Sequence, residues 1–462
     1  MTLGSRLPLV PALRLSAHSC YKITFMKIRF SLPLLLACFL GSFSAVTAEK
    51  PTLPPFIFGV CDSSPQALPY LQELGIHWAR TGIPIKAVMP ELREPAPTLA
   101  EVKAHPELVE KFSREADWSA IDAQLKQMLD YGVQPIPIIG HGYRTQHAAI
   151  HGQSATPDRL GRERYLGLMY LYCRAVVERY DGDGYLDAPG IVIKLWQMEN
   201  ELNQAGLTAA WGWREPAWLP GLRSAWNDWD FLTRLLATIH QAVKDADPEA
   251  VTFMNFHTDI PPRINHLLRQ PDWIEAVRRW QDLMEVIGFD SYPNYYTAEP
   301  VRGEVIGERV RQLQDAAPGK PVFLVEVDYP SGPAVRGFTP ERQAEFLRQS
   351  YDAARRAGAG GYLKFSVVRS DEMTATITDQ DLAALAKVVP WWEQGKSWRL
   401  LLWAVLHAGY INHHFLDVMK SVETFWGVVT PDGKRKPGFE VLKEIARENS
   451  TPPFAGTKGG LQ

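Results

Sequence analysis

The sequence is poor in several things, and each shortage excludes something. It has 4 cysteines in 462 residues, too few for a disulfide scaffold. Basic charge is not in excess: 49 Lys and Arg stand against 52 Asp and Glu, a net of −3. There is thus no electrostatic footprint for nucleic acid. The 34 Gly and 35 Pro follow no repeat, which excludes a collagen-like chain. No glycine-rich phosphate turn follows the first strand-like run, which ends in Gly59-Val60-Cys61-Asp62-Ser63. With 46% hydrophobic and 22% charged residues, the chain has the balance of a soluble globular protein.

Acidic residues are absent from residues 1–48, which carry Arg6, Arg14, Lys22, Lys27 and Arg29. From Met26 a short basic stretch leads into an apolar run, Phe30 to Phe43, and then into Val46-Thr47-Ala48. That order is a signal peptide over 26–48, with small residues before the cut at Glu49. The apolar run is too short for a membrane span. Residues 1–25 read as an upstream extension. Leu35-Leu36-Ala37-Cys38 loosely matches a lipoprotein box, but the apolar residues after Cys38 favour ordinary cleavage. A secreted or periplasmic protein is therefore expected. Cys61 and Cys173 would remain after cleavage, either as a pair or as two separate buried thiols.

After Glu49 no domain boundary appears. Eight β-branched or aromatic runs are strand candidates: Phe56–Val60, Ile76–Thr81, Gln134–Ile139, Ile191–Met198, Val251–Phe256, Val286–Phe289, Val322–Val327 and Gly361–Val367. Most are nearly continuous apolar runs, as parallel strands buried on both faces require. Amphipathic helical patterns separate them, including 120–131, 164–179, 230–246, 307–316 and 340–357. Strand followed by helix, eight times, predicts a single α/β domain, a (β/α)8 TIM barrel with long βα loops over 49–447, and a tail over 448–462. The long connections follow strands two, three, four and eight. All leave strand C-terminal ends, where barrels of this kind build their sites.

Two of those ends carry carboxylates. Strand four closes in Trp196-Gln197-Met198-Glu199-Asn200-Glu201, and strand seven in Val325-Glu326-Val327-Asp328. Three strands apart in an eight-stranded barrel, they face each other across the mouth. A facing pair of carboxyls is what glycoside hydrolysis uses: one gives a proton to the leaving oxygen, the other attacks or stabilises the cationic sugar. Glu199 and Asp328, each two residues from its neighbour, are the alternative members of the pair.

These phrases resemble clan A of the retaining glycoside hydrolases, the barrel grouping of cellulases, mannanases, β-galactosidases and β-xylosidases. Val286-Ile287-Gly288-Phe289-Asp290-Ser291-Tyr292-Pro293 on strand six adds to the resemblance. So does the later run Phe425-Trp426-Gly427-Val428-Val429. The resemblance spans Gly59 to about Ile445 and implies roles. Glu201 would be the acid/base, Glu326 the nucleophile and Asn200 a ligand of the sugar 2-hydroxyl. Arg80 and Tyr292 would hold Glu326 as a carboxylate, since a neighbouring cation and donated hydrogen bonds favour that form. Glu201 would rest protonated. Arg80 paired with Asp62, and a Tyr292 that only packs, are the structural alternatives.

One departure stands out. The clan ends strand eight with a Trp under the reactive sugar, whereas this strand reads Tyr362-Leu363-Lys364-Phe365-Ser366. Phe365, or Trp391 and Trp392 from the following loop, would have to replace it. Trp211, Trp213 and Trp218, set among Gly and Pro, suit a stacking platform for sugar rings; Trp226 and Trp229 suit core packing. His141 and His257 end strands three and five and are expected to hydrogen-bond substrate. His147 and His151 lack the zinc signature that their spacing hints at, and His413-His414 makes a weaker case. Lys434-Arg435-Lys436 reads as a solvated run. No cofactor or metal is implied, and the expected partner is a carbohydrate. The open alternatives are a non-catalytic carbohydrate-binding barrel and a transglycosylase using the same residues.

Overall fold

The computed structural model describes residues 54–89, 95–140, 156–205, 225–267 and 271–449. Eight parallel strands close on themselves in chain order. They are β1 (Ile57–Val60), β2 (Trp78–Gly82), β3 (Gln134–Ile139), β4 (Leu195–Met198), β5 (Val251–His257), β6 (Val286–Ser291), β7 (Val322–Val327) and β8 (Gly361–Lys364). Helices follow the strands and cover the outside, so the domain is a single (β/α)8 barrel. The eight expected runs all contain a strand. β4 and β8 are shorter than expected. Ile191 and Ile193 are buried before β4 pairing begins. Beyond β8, Val367 and Val368 turn their amides to the Asp62 carboxylate at 3.1 and 3.0 Å instead of extending the ladder.

Period-two alternation sorts the side chains into two layers. Ile57, Trp78, Ile136, Leu195, Phe253, Val286, Phe323, Val325 and Leu363 fill the barrel interior. Their neighbours Phe58, Ala79, Trp196, Met254, Ile287 and Leu324 pack outward against the helices. Gly59 lets β1 and β2 approach: a Cβ there would lie 2.6 Å from the Trp78 carbonyl oxygen. The 162–180 helix buries Tyr165, Tyr172, Cys173, Val176 and Tyr180 against the barrel. Cys61 and Cys173 are both free thiols. Cys173 lies in that helix, whereas Cys61 follows β1 and donates to the Val325 carbonyl.

The segment after β8 is largely helical, with helices at Asp379–Glu393 and Ser397–Leu406. It has its own apolar core of Leu385, Val389, Trp403, Ile411, Phe415 and Val418. It rests on the loops after β6 and β7. Trp392 packs on Tyr296, Arg302 pairs with Glu393, and Arg336 donates to the carbonyls of Val418 and Met419. The Ser397–Leu406 helix keeps Trp398, Leu402, Val405 and Leu406 exposed. No helix among the described residues is long and apolar enough to cross a membrane. The final helix runs to Glu448, and Asn449 donates to the Tyr351 hydroxyl at 2.8 Å. Residues 1–48, which hold the expected signal peptide, and residues 450–462 lie outside the described residues.

Candidate active site

The site is the next layer up the barrel interior. Two residues beyond inward Trp78 comes Arg80; beyond Leu195, Gln197; beyond Phe253, Asn255 and then His257; beyond Val286, Gly288 and then Asp290. Side-chain alternation alone aims all of them inward. Glu326 breaks the rule, because Val325 already faces in. The β6–β7 register skips Val325, pairing Phe289 with Leu324 and then Asp290 with Glu326. That β-bulge gives β7 one extra residue and turns the Glu326 carboxyl into the mouth, a recurrent use of bulges beside sites.

Both oxygens of Glu326 are engaged. Arg80 Nη1 pairs with Oε1, and the Tyr292 hydroxyl donates to Oε2 at 2.7 Å. Burial, then the Glu326 charge, pushes the Tyr292 phenol well up, so it keeps its proton and donates. Arg80 does not pair with Asp62; its Nη2 donates to Asn200 Oδ1. Asn255 Nδ2 reaches the same Oδ1 at 2.8 Å and also donates to Asp290, while Gln197 fixes Asn255 Oδ1 at 2.6 Å. Asn200 is thereby fixed between Arg80 and Asn255.

Glu199 and Glu201 both adopt left-handed backbone, with φ of 58° and 46°. Such conformations are costly for residues with a side chain and cluster at functional sites. Their outcome here is a division of direction. Glu199 is fully buried, against Gly140 and beneath the 162–180 helix. Glu201 enters the mouth, where Gln204 donates to Oε2 and His257 Nδ1 lies 2.9 Å from Oε1. Asp328 points elsewhere too, in a fully buried pair with Lys364 at 2.6 Å. One carboxylate oxygen from each of Glu201, Asp290 and Glu326 lies within 4.8 Å of the others.

The protons are distributed differently from expectation. Burial pushes the Glu201 carboxyl up, but His257, then Asp290 and then the Gln204 hydrogen bond outweigh it, leaving it below the usual carboxylate range. Burial lowers His257, and the Glu201 charge more than reverses that. Both shifts run toward an ionised Glu201 beside a protonated His257 in the free site. Asp290 is the neutral acid: burial first, then the charges of Glu326 and Glu201, pushes its carboxyl well up. Its closeness also lowers the Glu201 carboxyl. Three oxygens so close could also ligate a cation, but Arg80 already supplies the positive charge at Glu326.

Phe365 meets the ring of Tyr292 edge-on, at 5.8 Å between centroids. Trp426 stacks on Tyr292 at 5.1 Å and meets Phe365 edge-on at 4.8 Å. Trp391 packs with the helical segment's own core. Trp226 is buried and Trp229 stacks on Trp280 at 4.8 Å, both core residues. His414 bonds Asp381 at 3.0 Å. Lys436 is not solvated: it is buried and bonds Ser331, Asp371 and the Gly427 carbonyl. His141, His147, His151, Trp211, Trp213 and Trp218 lie outside the described residues. Gln197, Asn255, Asp290 and Trp426 were not singled out from sequence. The signal for the first three is a polar residue at an inward position of an apolar strand.

A closed (β/α)8 barrel of this kind is shared with solved glycoside hydrolases. A GH5_18 variant from Streptomyces cattleya in complex with Manb1-4GlcNAc superposes with a TM-score of 0.52, at 13% identity over 86% of this chain and 81% of that one. A GH5_18 from Bifidobacterium longum subsp. infantis gives 0.51, at 14% identity over 85% and 78%. A glucosidase from Croceicoccus marinus gives 0.50, at 12% identity over 86% of this chain but only 66% of its own. At these identities the likeness is one of fold. No family model and no curated protein matches the chain.

Proposed function

We propose that the chain is a retaining β-glycoside hydrolase, exported behind a leader over residues 26–48, working by double displacement. The observation that carries the reading is the mouth itself. Glu326 is held through both oxygens by Arg80 and Tyr292, with a Glu201 oxygen within 4.8 Å. Retaining enzymes keep their carboxyls about 5–5.5 Å apart, whereas inverting ones need about 6.5–9.5 Å to admit a water.

In the first step a Glu326 oxygen bonds to the anomeric carbon as the glycosidic C–O bond breaks. The leaving oxygen takes a proton from Glu201. That proton comes to Glu201 from His257, 2.9 Å away, when substrate displaces water and weakens the ion pair. In the second step Glu201 takes a proton from water, whose oxygen attacks the anomeric carbon and releases Glu326. Asn200, fixed by Arg80 and Asn255, hydrogen-bonds the 2-hydroxyl. Trp426, Tyr292 and Phe365 form the apolar wall of the reactive subsite. The fold neighbours suggest β-mannosides and β-glucosides as first substrates to screen.

The test is azide rescue on aryl β-glycosides. Glu326→Ala should lose activity and regain part of it with azide, giving the inverted glycosyl azide. Glu201→Ala should slow poor leaving groups about 10²–10⁴-fold, activated ones far less, and with azide give the retained product. Rescue giving a retained azide at position 326 would remove the nucleophile role from Glu326. A wild-type chain inert on every glycoside that it binds would instead favour the carbohydrate-binding reading.

A further inference from the structure

The loop between the 162–180 helix and β4 reads Asp181-Gly182-Asp183-Gly184-Tyr185-Leu186-Asp187, with Glu178 on the last helical turn before it. One ligand oxygen each from Glu178, Asp181 and Asp183 lies within 4.8 Å of the others. Asp181 is only 4% exposed. Its Oδ1 accepts from the Asp183 amide at 3.1 Å, yet no donor among the described residues reaches Oδ2. An unpartnered carboxylate oxygen buried beside two further carboxylates is costly unless something positive sits there. Burial, and then the charges of Asp183, Glu178 and Asp187, pushes the Asp181 carboxyl up to about 7.

Neither nearby side-chain cation among the described residues bonds the Asp181 carboxylate, although the Arg174 charge is felt by Glu178. Lys194 reaches the Asp181 carbonyl, not its carboxylate, and pairs with Asp247 at 2.7 Å. Arg174 points its Nη1 to the Tyr170 hydroxyl at 3.4 Å. The loop is meanwhile held in place from within. Asp187 accepts from the amides of Gly182 and Gly184 at 3.2 and 2.7 Å, and Asp183 from that of Tyr185 at 2.7 Å.

We propose that Glu178, Asp181 and Asp183 bind a calcium ion at the N-terminal end of β4, with loop carbonyls and water completing the shell. The spacing suits this ion. Calcium bonds oxygens at about 2.3–2.6 Å, so its ligands lie up to about 5 Å apart; magnesium, at about 2.0–2.1 Å and strictly octahedral, asks for a tighter set. The site shares no residue with the mouth and stands or falls separately from the glycosidase reading.

The experiment is calorimetric titration of the full chain, freed of metal by chelating resin, with CaCl2 and with MgCl2. Thermal unfolding is followed alongside. One calcium per chain should bind, raise the Tm and bind at least about tenfold tighter than magnesium. Asp181→Asn and Asp183→Asn should each weaken calcium at least about tenfold. The metal-free Tm of Asp181→Asn should be no lower than that of wild type, which shows that the variant folds. Asp290→Asn should leave the stoichiometry at one. Three results would overturn the proposal: no heat and no Tm shift at about 10 mM calcium, well above the affinity range of extracellular calcium modules; unchanged binding in the Asp181→Asn, Asp183→Asn double variant; or binding lost in Asp290→Asn.

Discussion

At the C-terminal end of β4, Glu201 shares a space within 4.8 Å with Asp290 and Glu326; at the N-terminal end, Glu178, Asp181 and Asp183 are equally close. The mouth set has internal partners. Arg80 faces Glu326, His257 faces Glu201, and Asn255 donates to Asp290. The other set has mostly backbone amides and one buried oxygen with no donor. Equal crowding of charge is thus resolved in two ways. Side chains that neutralise carboxylates in place leave them aligned for chemistry on something brought in. Carboxylates left unneutralised are arranged for something positive to be brought in.

The sharpest break of this comparison is at Glu326. If the mouth set is chemical, Glu326→Ala should cut kcat by at least about 10⁴-fold, on the scale of removing a nucleophile. Stability should change far less. A variant with most of its activity left would make the mouth a binding site. The next effect is on stability. Arg80→Met strips the mouth of its guanidinium and leaves Glu326 buried without its cation. Breaking one side of a buried pair costs about 3–5 kcal/mol, read as a lowered urea midpoint. An unchanged midpoint would mean that the mouth tolerates bare carboxylates.

Asp290 sharpens the same contrast through pH. Its folded pKa is raised above the ordinary 3.8. The folded state therefore holds a proton that the unfolded state gives up as pH rises. The stability contribution of Asp290 is fully present below about pH 4 and is lost as pH climbs through the folded value. Asp290→Asn has no such proton. Its urea midpoint should match wild type most closely near pH 4 and gain on it toward pH 7. Parallel midpoints across that range would show that Asp290 is ionised in the fold.

The same inward alternation explains what was legible beforehand. Eight apolar runs were readable as strands because burial on both faces leaves a continuous signal. Glu201 and Glu326 stood out as carboxylates at strand ends, while Arg80, Asn200 and Tyr292 were implied by the resemblance to the glycoside hydrolase clan. Asp290, Asn255 and Gln197 were passed over because each lies inside an apolar run, and its direction depends on which neighbour faces the interior. No periodicity reveals the bulge at Val325 that turns Glu326 inward, because it arises from pairing with β6. Trp426 was visible only as part of a supporting phrase. It reaches the site from 61 residues beyond Phe365 along the chain, a return fixed by the helical segment between them. The shift of His257 toward its protonated form depends on a 2.9 Å contact between β5 and the turn after β4, which sequence does not carry.

The smallest expected effect lies at Lys194, the cation nearest the second set. Its amine bonds the Asp181 carbonyl and Asp247 at 2.7 Å each, and its side chain is 35% exposed. If it partnered the Asp181 carboxylate, the two ends of β4 would not differ in kind, and Lys194→Met would strip that carboxylate of its cation. On the geometry it does not, so its charge acts on that set only from a distance and partly through solvent. Lys194→Met should then lower stability by about 1 kcal/mol, the usual worth of such half-exposed contacts. Removing one repelling positive charge should also tighten calcium binding, by about two- to threefold at low salt, and the gain should fade as salt shortens the Debye length to about 3 Å at 1 M. A variant that bound calcium more weakly would show that Lys194 organises the loop through the Asp181 carbonyl. A gain of a hundredfold would mean that the lysine occupies the cation's own position.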